Sequence, residues 1–231
     1  MTRRLVLVRH GRVDFSNRDF NETPRGRQWD PPLDDTGREQ AAHLAARLVS
    51  GDPPALVFVS PFRRCLETLN PFAGRLGIHG EVDEDLGEVF VGDWEGVPFE
   101  DLVAENEDFV RRRLHEHEAI FAQAPNAERG AQLRARVVPA VERMLAAGDA
   151  AGDVVIVTHG GVINAYVGQV LGLDQDMFFL PENTSLNVVE VDGNARRVRF
   201  INDVAHLFFP ALWEGDADYT SPSRSAGSAR P

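Results

Sequence analysis

The stretch RLVLVRHG, residues 4–11, decides how this sequence is interpreted. Four aliphatic residues run without a break from Leu5 to Val8, which predicts a strand buried on both faces of a sheet. Arg9, His10 and Gly11 follow at once, where the strand must end. A rigid strand end fixes the His10 side chain, and Gly11 lets the backbone turn away close beneath a ligand.

The rest of the chain alternates between strand and helix patterns. Residues 12–35 are polar and rich in turn residues, and we expect a loop there. Thr36 and Glu39 have the spacing of a capping box and predict the start of a helix. Pro61 suits the first turn of another helix, and Pro71 is expected to end or kink it. Further strands are predicted over 54–60, after Asp153, and on both sides of a turn at Asp192-Gly193, and further helices over 133–148 and after Gly161.

Strands that alternate with helices predict an α/β fold. We expect three α/β/α layers around a mostly parallel central sheet, with an antiparallel hairpin near one edge. Residues 1–213 are interpreted as a single domain, into which the charged segment 98–124 is inserted as a helical cap. Residues 214–231 are rich in Ser, Gly, Pro and Ala, and are predicted to be a disordered tail.

Composition excludes several classes of function. The net charge of the 231-residue chain is −12, which disfavours a nucleic-acid binder or a protein of anionic membrane surfaces. Cys65 is the only cysteine, so neither an internal disulfide nor a cysteine-based zinc site can form, and it is expected to be a small buried filler. The first apolar run is too short for a signal peptide or a membrane span. A soluble cytoplasmic protein is expected.

Cationic and imidazole side chains follow three of the predicted strands. Arg9 and His10 end the first strand, Arg63 and Arg64 follow the strand that ends at Ser60, and His159-Gly160-Gly161 follows a later strand. Ligands of open α/β sheets bind beyond the carboxyl ends of the strands, so these residues are expected to converge. Fixed positive charges, two imidazoles and a helix N-terminus whose glycines leave the backbone N–H groups accessible are typical of a site that binds a phosphoryl group.

An acidic residue completes this predicted site. Glu88 lies in the segment DEDLGEVFVGDWEG, residues 83–96, which by itself is equally typical of a solvated loop. Hydrolysis of a phosphate ester needs a proton donor for the leaving oxygen, and a carboxylic acid can supply it. His115 and His117 lie two residues apart and would face different sides of a helix, so they predict no metal site. No metal and no cofactor are expected.

Four segments together resemble the histidine phosphatase superfamily, whose fold is the phosphoglycerate-mutase-like fold, in its small phosphatase branch. They are LVRHG, SPFRRCLET, LGEVFVGDWEG and VTHGGVI, and the resemblance spans residues 4–208. The resemblance implies that His10 is the nucleophile and that Glu88 is the general acid. It implies that Arg9, Arg64 and His159 hold the phosphate, together with the backbone N–H of Gly160.

The segment after the first motif departs from that family pattern. Arg12 stands where many relatives have Glu or Gln, and it is either a second anion contact or a surface arginine. The same two interpretations apply to Arg25 and Arg27. We expect a metal-independent phosphomonoester hydrolase that acts on a small-molecule substrate through a phosphohistidine. The alternatives are a phosphoglycerate mutase-type isomerase and a non-catalytic module that binds a phosphorylated ligand. The sequence does not predict the oligomeric state, although a homodimer is the commonest type of oligomer.

Overall fold

A computed structural model describes residues 3–98, 101–102, 124–147 and 152–214. The strands, in chain order, are β1 (Arg3–Arg9), β2 (Phe20–Thr23), β3 (Gly26–Trp29), β4 (Leu56–Val59), β5 (Glu81–Val82), β6 (Val154–Thr158), β7 (Leu186–Asp192) and β8 (Ala195–Asp203). The α-helices are α1 (Asp35–Val49), α2 (Arg63–Leu76), α3 (Gly130–Ala146), α4 (Gly160–Leu171), α5 (Ala205–Phe208) and α6 (Ala211–Glu214). Two 3-10 helices span Glu84–Leu86 and Gly92–Trp94.

Six of these strands form the central sheet, in the order β5-β4-β6-β1-β7-β8. The pairs β5–β4, β4–β6 and β6–β1 are parallel, whereas β7 and β8 run antiparallel to their neighbours. The predicted mostly parallel sheet with an antiparallel hairpin at one edge is therefore confirmed. Because β4, β6 and β1 are parallel neighbours, their carboxyl ends lie side by side at one edge of the sheet.

Helices cover both faces of the sheet, and β1 shows why its sequence is apolar at every position. Leu5 and Leu7 pack with α3 and α4 in one core, and Val6 and Val8 pack with α1 and α2 in the other. Side chains of a strand alternate between the two faces, so a strand covered on both sides is apolar throughout. This arrangement confirms the predicted three-layer α/β/α fold.

The segment 12–35 is not a simple loop, which corrects the prediction. It contains the antiparallel hairpin β2–β3, which pairs from Phe20 with Trp29 to Thr23 with Gly26. The turn ends at Gly26, whose φ of 131° is a conformation that favours glycine. Most residues of the two strands are only partly buried. Their sequence therefore lacks the apolar alternation by which a strand is recognised.

Two helix boundaries also differ from those predicted. The N-cap of α1 is Asp34, whose Oδ1 accepts a hydrogen bond from the Gly37 N–H (2.7 Å), and not Thr36. Asp is as good a cap as Thr, so the sequence offers two candidates two residues apart. Helix α2 runs through Pro71 to Leu76, because its buried Leu69 and Phe72 lie on either side of the proline and hold both halves against the sheet.

Several predictions fall outside the described residues. The cap segment 98–124 is described only at its ends, and the tail is described only at Glu214, which closes α6. The cap, the tail and the single domain over 1–213 therefore stay predictions. No helix within the described ranges is long and apolar enough to cross a membrane.

Candidate active site

The carboxyl ends of β1 and β6 bring two histidines together. The His10 N–H donates to the carbonyl oxygen of Thr158, the last residue of β6 (2.9 Å). His159 is the next residue and the N-cap of α4. The two imidazole rings meet edge to face, with centroids 5.2 Å apart. The parallel pairing of two neighbouring strands thus produces a histidine pair from residues far apart in sequence.

The side chain of His10 is buried and held in one tautomer. Its Nδ1 lies 2.8 Å from the carbonyl oxygen of Gly11. A carbonyl oxygen can only accept, so Nδ1 carries the proton and Nε2 keeps its lone pair. Burial lowers the pKa of His10 well below its ordinary value, and the positive charges of Arg64 and Arg9 lower that pKa further. His10 is therefore neutral, with an unprotonated Nε2.

The backbone around His10 is fixed by side chains from two other segments. The Gly11 N–H donates to Thr68 Oγ1 of α2 (2.9 Å), and Asn183 Nδ2 donates to the carbonyl oxygen of His10 (3.0 Å). A Cβ at position 11 would lie 2.8 Å from the carbonyl oxygen of Gly37 in α1. Only glycine allows this approach of two backbones.

Two arginines bring permanent positive charge to His10. Arg64, at the start of α2, is buried; its Nη1 donates to the Trp29 carbonyl oxygen (3.2 Å) and lies 3.6 Å from Asp30 Oδ1. Arg9 donates through Nη1 to the carbonyl oxygen of Pro181. Arg9 Nε is buried and has no hydrogen-bond partner in the described part of the chain. A buried donor without a partner is costly, so this N–H suits an anionic ligand.

His159 is fully buried and is oriented by Ser60, the residue that follows β4. The Ser60 Oγ lies 2.7 Å from His159 Nε2, and the ring of Phe62 packs edge to face against the imidazole, with centroids 5.1 Å apart. Burial lowers the pKa of His159 well below its ordinary value, with a further contribution from Arg64. The Cys65 thiol lies 3.5 Å from the same ring nitrogen, and burial raises the pKa of that thiol to about 12. Cys65 is thus an inert buried residue, as predicted.

The side chain of Glu88 contacts the N-terminal turn of α4. Its Oε1 accepts from the Gly161 N–H (3.1 Å) and from the Val89 N–H (2.9 Å). Both donors are backbone N–H groups, and Gly161 lies in the first turn of α4. Its Oε2 has one contact in the described ranges, at 3.5 Å from the Gly161 nitrogen. One carboxyl oxygen is therefore anchored by two hydrogen bonds, and the other has only one long contact.

The comparisons with known proteins agree with this geometry. The model of the histidine phosphatase superfamily (branch 1) matches residues 5–204. The chain belongs to this superfamily. Its resemblance to the family and the prediction of a phosphatase-type enzyme are therefore confirmed.

Named relatives of this histidine phosphatase include phosphatases and a mutase-like protein. The glucosyl-3-phosphoglycerate phosphatase of Mycolicibacterium vanbaalenii is 32% identical over 180 residues, which cover 75% of this chain and 76% of that protein. Phosphoglycerate mutase-like protein 4 of Arabidopsis thaliana is 28% identical over 213 residues, which cover 88% of this chain and 86% of that protein. The solved structure of a mycobacterial glucosyl-3-phosphoglycerate phosphatase with VO3 is 28% identical, has a TM-score of 0.72, and covers 87% of this chain and 98% of that one.

Other arginines that the sequence singled out contact residues other than His10. Arg12 is exposed, and its Nε lies 2.5 Å from Oδ2 of Asp34, the N-cap of α1. Arg63 pairs with Glu67 of its own helix (2.8 Å). Arg25 donates to the Glu84 carbonyl oxygen (3.2 Å), and Arg27 lies over the ring of Phe20, 4.5 Å from its centroid. The interpretation of Arg12 as a surface arginine fits its contacts.

Sequence reasoning missed several residues that surround this site. They bind backbone groups or other fixed side chains, and they are Gln28, Asp30, Arg136, Asn183 and Thr184. Asn183 and Thr184 lie in the segment ENTSLNVVEVDG, which resembles the family more weakly than the four main motifs do. The same weak resemblance holds for DPPLDDTGREQA, which contains Asp30, and for LRARVVPAVERML, which contains Arg136. Gln28 lies outside these segments, and this weak resemblance was the one signal available for the other four residues. Among the described residues, no three or more His, Cys, Asp or Glu side chains are placed to hold a metal ion.

Proposed function

We propose that this chain hydrolyses phosphomonoesters through a covalent phosphohistidine on His10. The observation that carries the proposal is the contact of His10 Nδ1 with the Gly11 carbonyl oxygen. This contact leaves Nε2 as a lone-pair donor in a buried place close to the charges of Arg9 and Arg64. A neutral imidazole nitrogen among fixed cations suits nucleophilic attack on a phosphoryl group.

The first step transfers the phosphoryl group to His10. Nε2 attacks phosphorus in line, the Nε2–P bond forms, and the ester P–O bond breaks. Glu88 gives its proton to the departing oxygen, which leaves as an alcohol. Arg9 and Arg64 balance the negative charge on the phosphoryl oxygens, and His159 and the Gly160 N–H bind these oxygens as neutral groups. This N–H lies in the first turn of α4, where backbone N–H groups have no partner within the helix.

The second step returns His10 to its starting state. The Glu88 carboxylate takes a proton from water, the water oxygen attacks phosphorus, and the N–P bond breaks with release of inorganic phosphate. Glu88 is then protonated for the next cycle. Fixed protein charges and hydrogen bonds act on each developing charge, so the proposed reaction needs no metal.

The substrate is proposed to be a small phosphorylated metabolite. Relatives that are 32% identical carry the name glucosyl-3-phosphoglycerate phosphatase, which makes that compound the first metabolite to test. The relative named as mutase-like makes phosphoglycerate a necessary comparison, because a mutase would interconvert its isomers without releasing phosphate.

The test measures inorganic phosphate released from 4-nitrophenyl phosphate and from both metabolites, with a chelator present throughout. The wild type is compared with His10→Ala and with His79→Ala, a matched control at an exposed histidine. We expect turnover that resists the chelator, that is lost in His10→Ala and that is kept in His79→Ala. Quenching during turnover of ³²P-labelled substrate should trap an acid-labile phosphoenzyme in the wild type and in His79→Ala, but not in His10→Ala. Full activity of His10→Ala would refute the proposal.

A further inference from the structure

We propose that the ion pair of Arg136 with Glu128 is a positioning device that sets the place of the Glu88 carboxyl group. This inference rests on the proposed function, since it assigns a role relative to the proposed proton donor. The two residues do not contact the phosphate-binding side chains described above. They bind the backbone of the segment that carries Glu88.

Arg136 lies in α3, and the two Nη atoms of its guanidinium bind the backbone of the segment from Asp85 to Glu88. Nη1 donates to the Asp85 carbonyl oxygen (2.6 Å), and Nη2 donates to the Glu88 carbonyl oxygen (3.2 Å). These carbonyl groups bracket the turn that leaves the 3-10 helix Glu84–Leu86. One planar group therefore fixes the distance between the start of this turn and Glu88 itself.

Glu128 holds Arg136 from the other side and reaches the segment independently. Its two carboxyl oxygens accept from Nε (2.7 Å) and Nη2 (2.8 Å) of Arg136, which is a bidentate pair. Its Oε2 also accepts from the Phe90 N–H (3.2 Å), and its own N–H donates to the Phe90 carbonyl oxygen (2.8 Å). The pair thus holds the backbone both before and after Glu88.

The Arg136–Glu128 ion pair, which we call the clamp, matters because Glu88 lies in neither a helix nor a strand. Its place depends on the bonds that its own segment makes, which also include one from Gln28 Nε2 to the Glu88 carbonyl oxygen (3.3 Å). The side chain itself is held by two hydrogen bonds to Oε1 and by one long contact of Oε2. A shift of about 1 Å in a reacting group can lower a rate by about 10²-fold, so the clamp controls how well Glu88 can protonate a leaving group.

The role requires the shape of arginine and not only its charge. Lysine keeps the positive charge, but its ammonium group cannot reproduce a planar fork that reaches two carbonyl groups and a carboxylate together. The charge of Arg136 also contributes to the lowered pKa of His159. Arg136→Lys keeps that charge and therefore isolates the geometric contribution.

The experiment measures kcat/KM for a series of para-substituted phenyl phosphates, from 4-nitrophenyl phosphate to phenyl phosphate. A good leaving group needs little protonation, whereas a poor one depends on the proton donor. We expect Arg136→Lys to lower kcat/KM for phenyl phosphate about tenfold and for 4-nitrophenyl phosphate less than about threefold. The dependence of log kcat/KM on the leaving-group pKa becomes steeper, which a general loss of folding would not produce.

Three further variants complete the test. Arg143→Lys is the matched control, because Arg143 lies on the same helix and pairs with Asp83 of the same segment (2.7 Å) while remaining exposed, and its slope should equal that of the wild type. Glu128→Gln breaks the pair without adding bulk and should steepen the slope as Arg136→Lys does. Glu88→Gln should steepen it at least as much.

The outcomes separate the two proposals. Suppose that Glu88→Gln makes log kcat/KM depend more steeply on the leaving-group pKa, but that Arg136→Lys and Glu128→Gln lower kcat/KM equally for all substrates. The positioning role is then refuted, and the proposed function stands. If Glu88→Gln leaves the slope unchanged, Glu88 is not the proton donor, and both the proposed role of Glu88 and this inference are refuted.

Discussion

His10 Nδ1 lies 2.8 Å from the carbonyl oxygen of the next residue, Gly11. This short-range contact decides which nitrogen of the ring is free, and no distant residue is needed to set it. What distant residues add is charge: Arg64, which follows β4, and Arg9, at the end of β1, both disfavour the protonated ring. The tautomer is thus set locally, and the protonation state is set by the fold.

The first prediction concerns Arg64 and the pKa of His10. Arg64→Met removes a positive charge that opposes protonation, so the pKa of His10 should rise, and kcat/KM should fall by about 10²–10³-fold. Arg64→Lys keeps the charge and should leave the His10 pKa low. An NMR titration of ¹⁵N-labelled histidine measures this pKa directly. An unchanged His10 pKa in Arg64→Met would contradict the electrostatic explanation.

A side chain at Gly161 should lower the activity of the protein but not its thermal stability. An alanine Cβ there would lie 2.5 Å from Glu88 Oε1, so the carboxyl group must move. We expect Gly161→Ala to lower kcat/KM by about 10²-fold. Its melting temperature should change little, because the group that must move is the end of a side chain and not the backbone.

The matched control for that variant lies in the same helix. At Gly168 an added Cβ would meet its nearest atom, in the ring of Phe178, at 3.6 Å, which is an ordinary contact. Gly168→Ala should therefore keep wild-type kcat/KM. Equal loss of activity in both variants would show that the helix, and not the Glu88 carboxyl group, is sensitive to substitution.

Cys65 should resist thiol reagents in the folded protein. Burial raises its pKa to about 12, so almost no thiolate exists at pH 8, and the side chain is also shielded from solvent. Iodoacetamide should label the native chain negligibly and should label it fully, at one site per chain, in denaturant. Mass spectrometry after timed quenching counts the label. Rapid labelling of the native protein would overturn this assignment.

His206 should make the protein less stable in acid. Its Nδ1 lies 3.3 Å from Arg47 Nη1, which can only donate, so the buried ring is neutral and contacts Thr184 Oγ1 through Nε2 (3.0 Å). Burial, followed by the charge of Arg47, lowers its pKa from 6.5 to about 4. The unfolded chain then takes up this proton first, so the stability contribution is complete above pH 6.5 and is lost as the pH falls towards 4.

The variant His206→Gln isolates this effect from that of the other buried histidines. The free energy of unfolding should be lower than that of the wild type at pH 7.5, and the difference should shrink as the pH is lowered to 4. Urea titrations at a series of pH values measure it. A difference independent of pH would mean that His206 does not titrate in this way.

The sequence predicts the parts of this molecule that are regular. The aliphatic run Leu5–Val8 predicted a strand with both faces covered, and the residues after three such strands do meet at one edge of the sheet. The hairpin β2–β3 was missed because its residues are polar and partly exposed. Asp34 was missed as a cap because Thr36 offers an equivalent local pattern.

The supporting residues could not be found in this way, for a different reason. Arg136 and Gln28 act on backbone carbonyl groups, and a carbonyl group carries no sequence signature. Asp30 accepts from the Arg63 N–H and lies beside Arg64, contacts that exist only once the hairpin is folded against α2. Such partners are set by tertiary approach, and a local pattern contains no information about them.

The pairing of β1 with β6 has a consequence for how the protein reaches activity during synthesis. Leu5 is in register with Val154, so the two histidines meet only after most of the chain has been made and this distant pairing has formed. Contacts of such large sequence separation form slowly, because the intervening chain must first be closed into a loop. The emerging polypeptide therefore remains inactive until its sheet closes, and enzymatic activity regained on refolding reports the complete assembly of the fold.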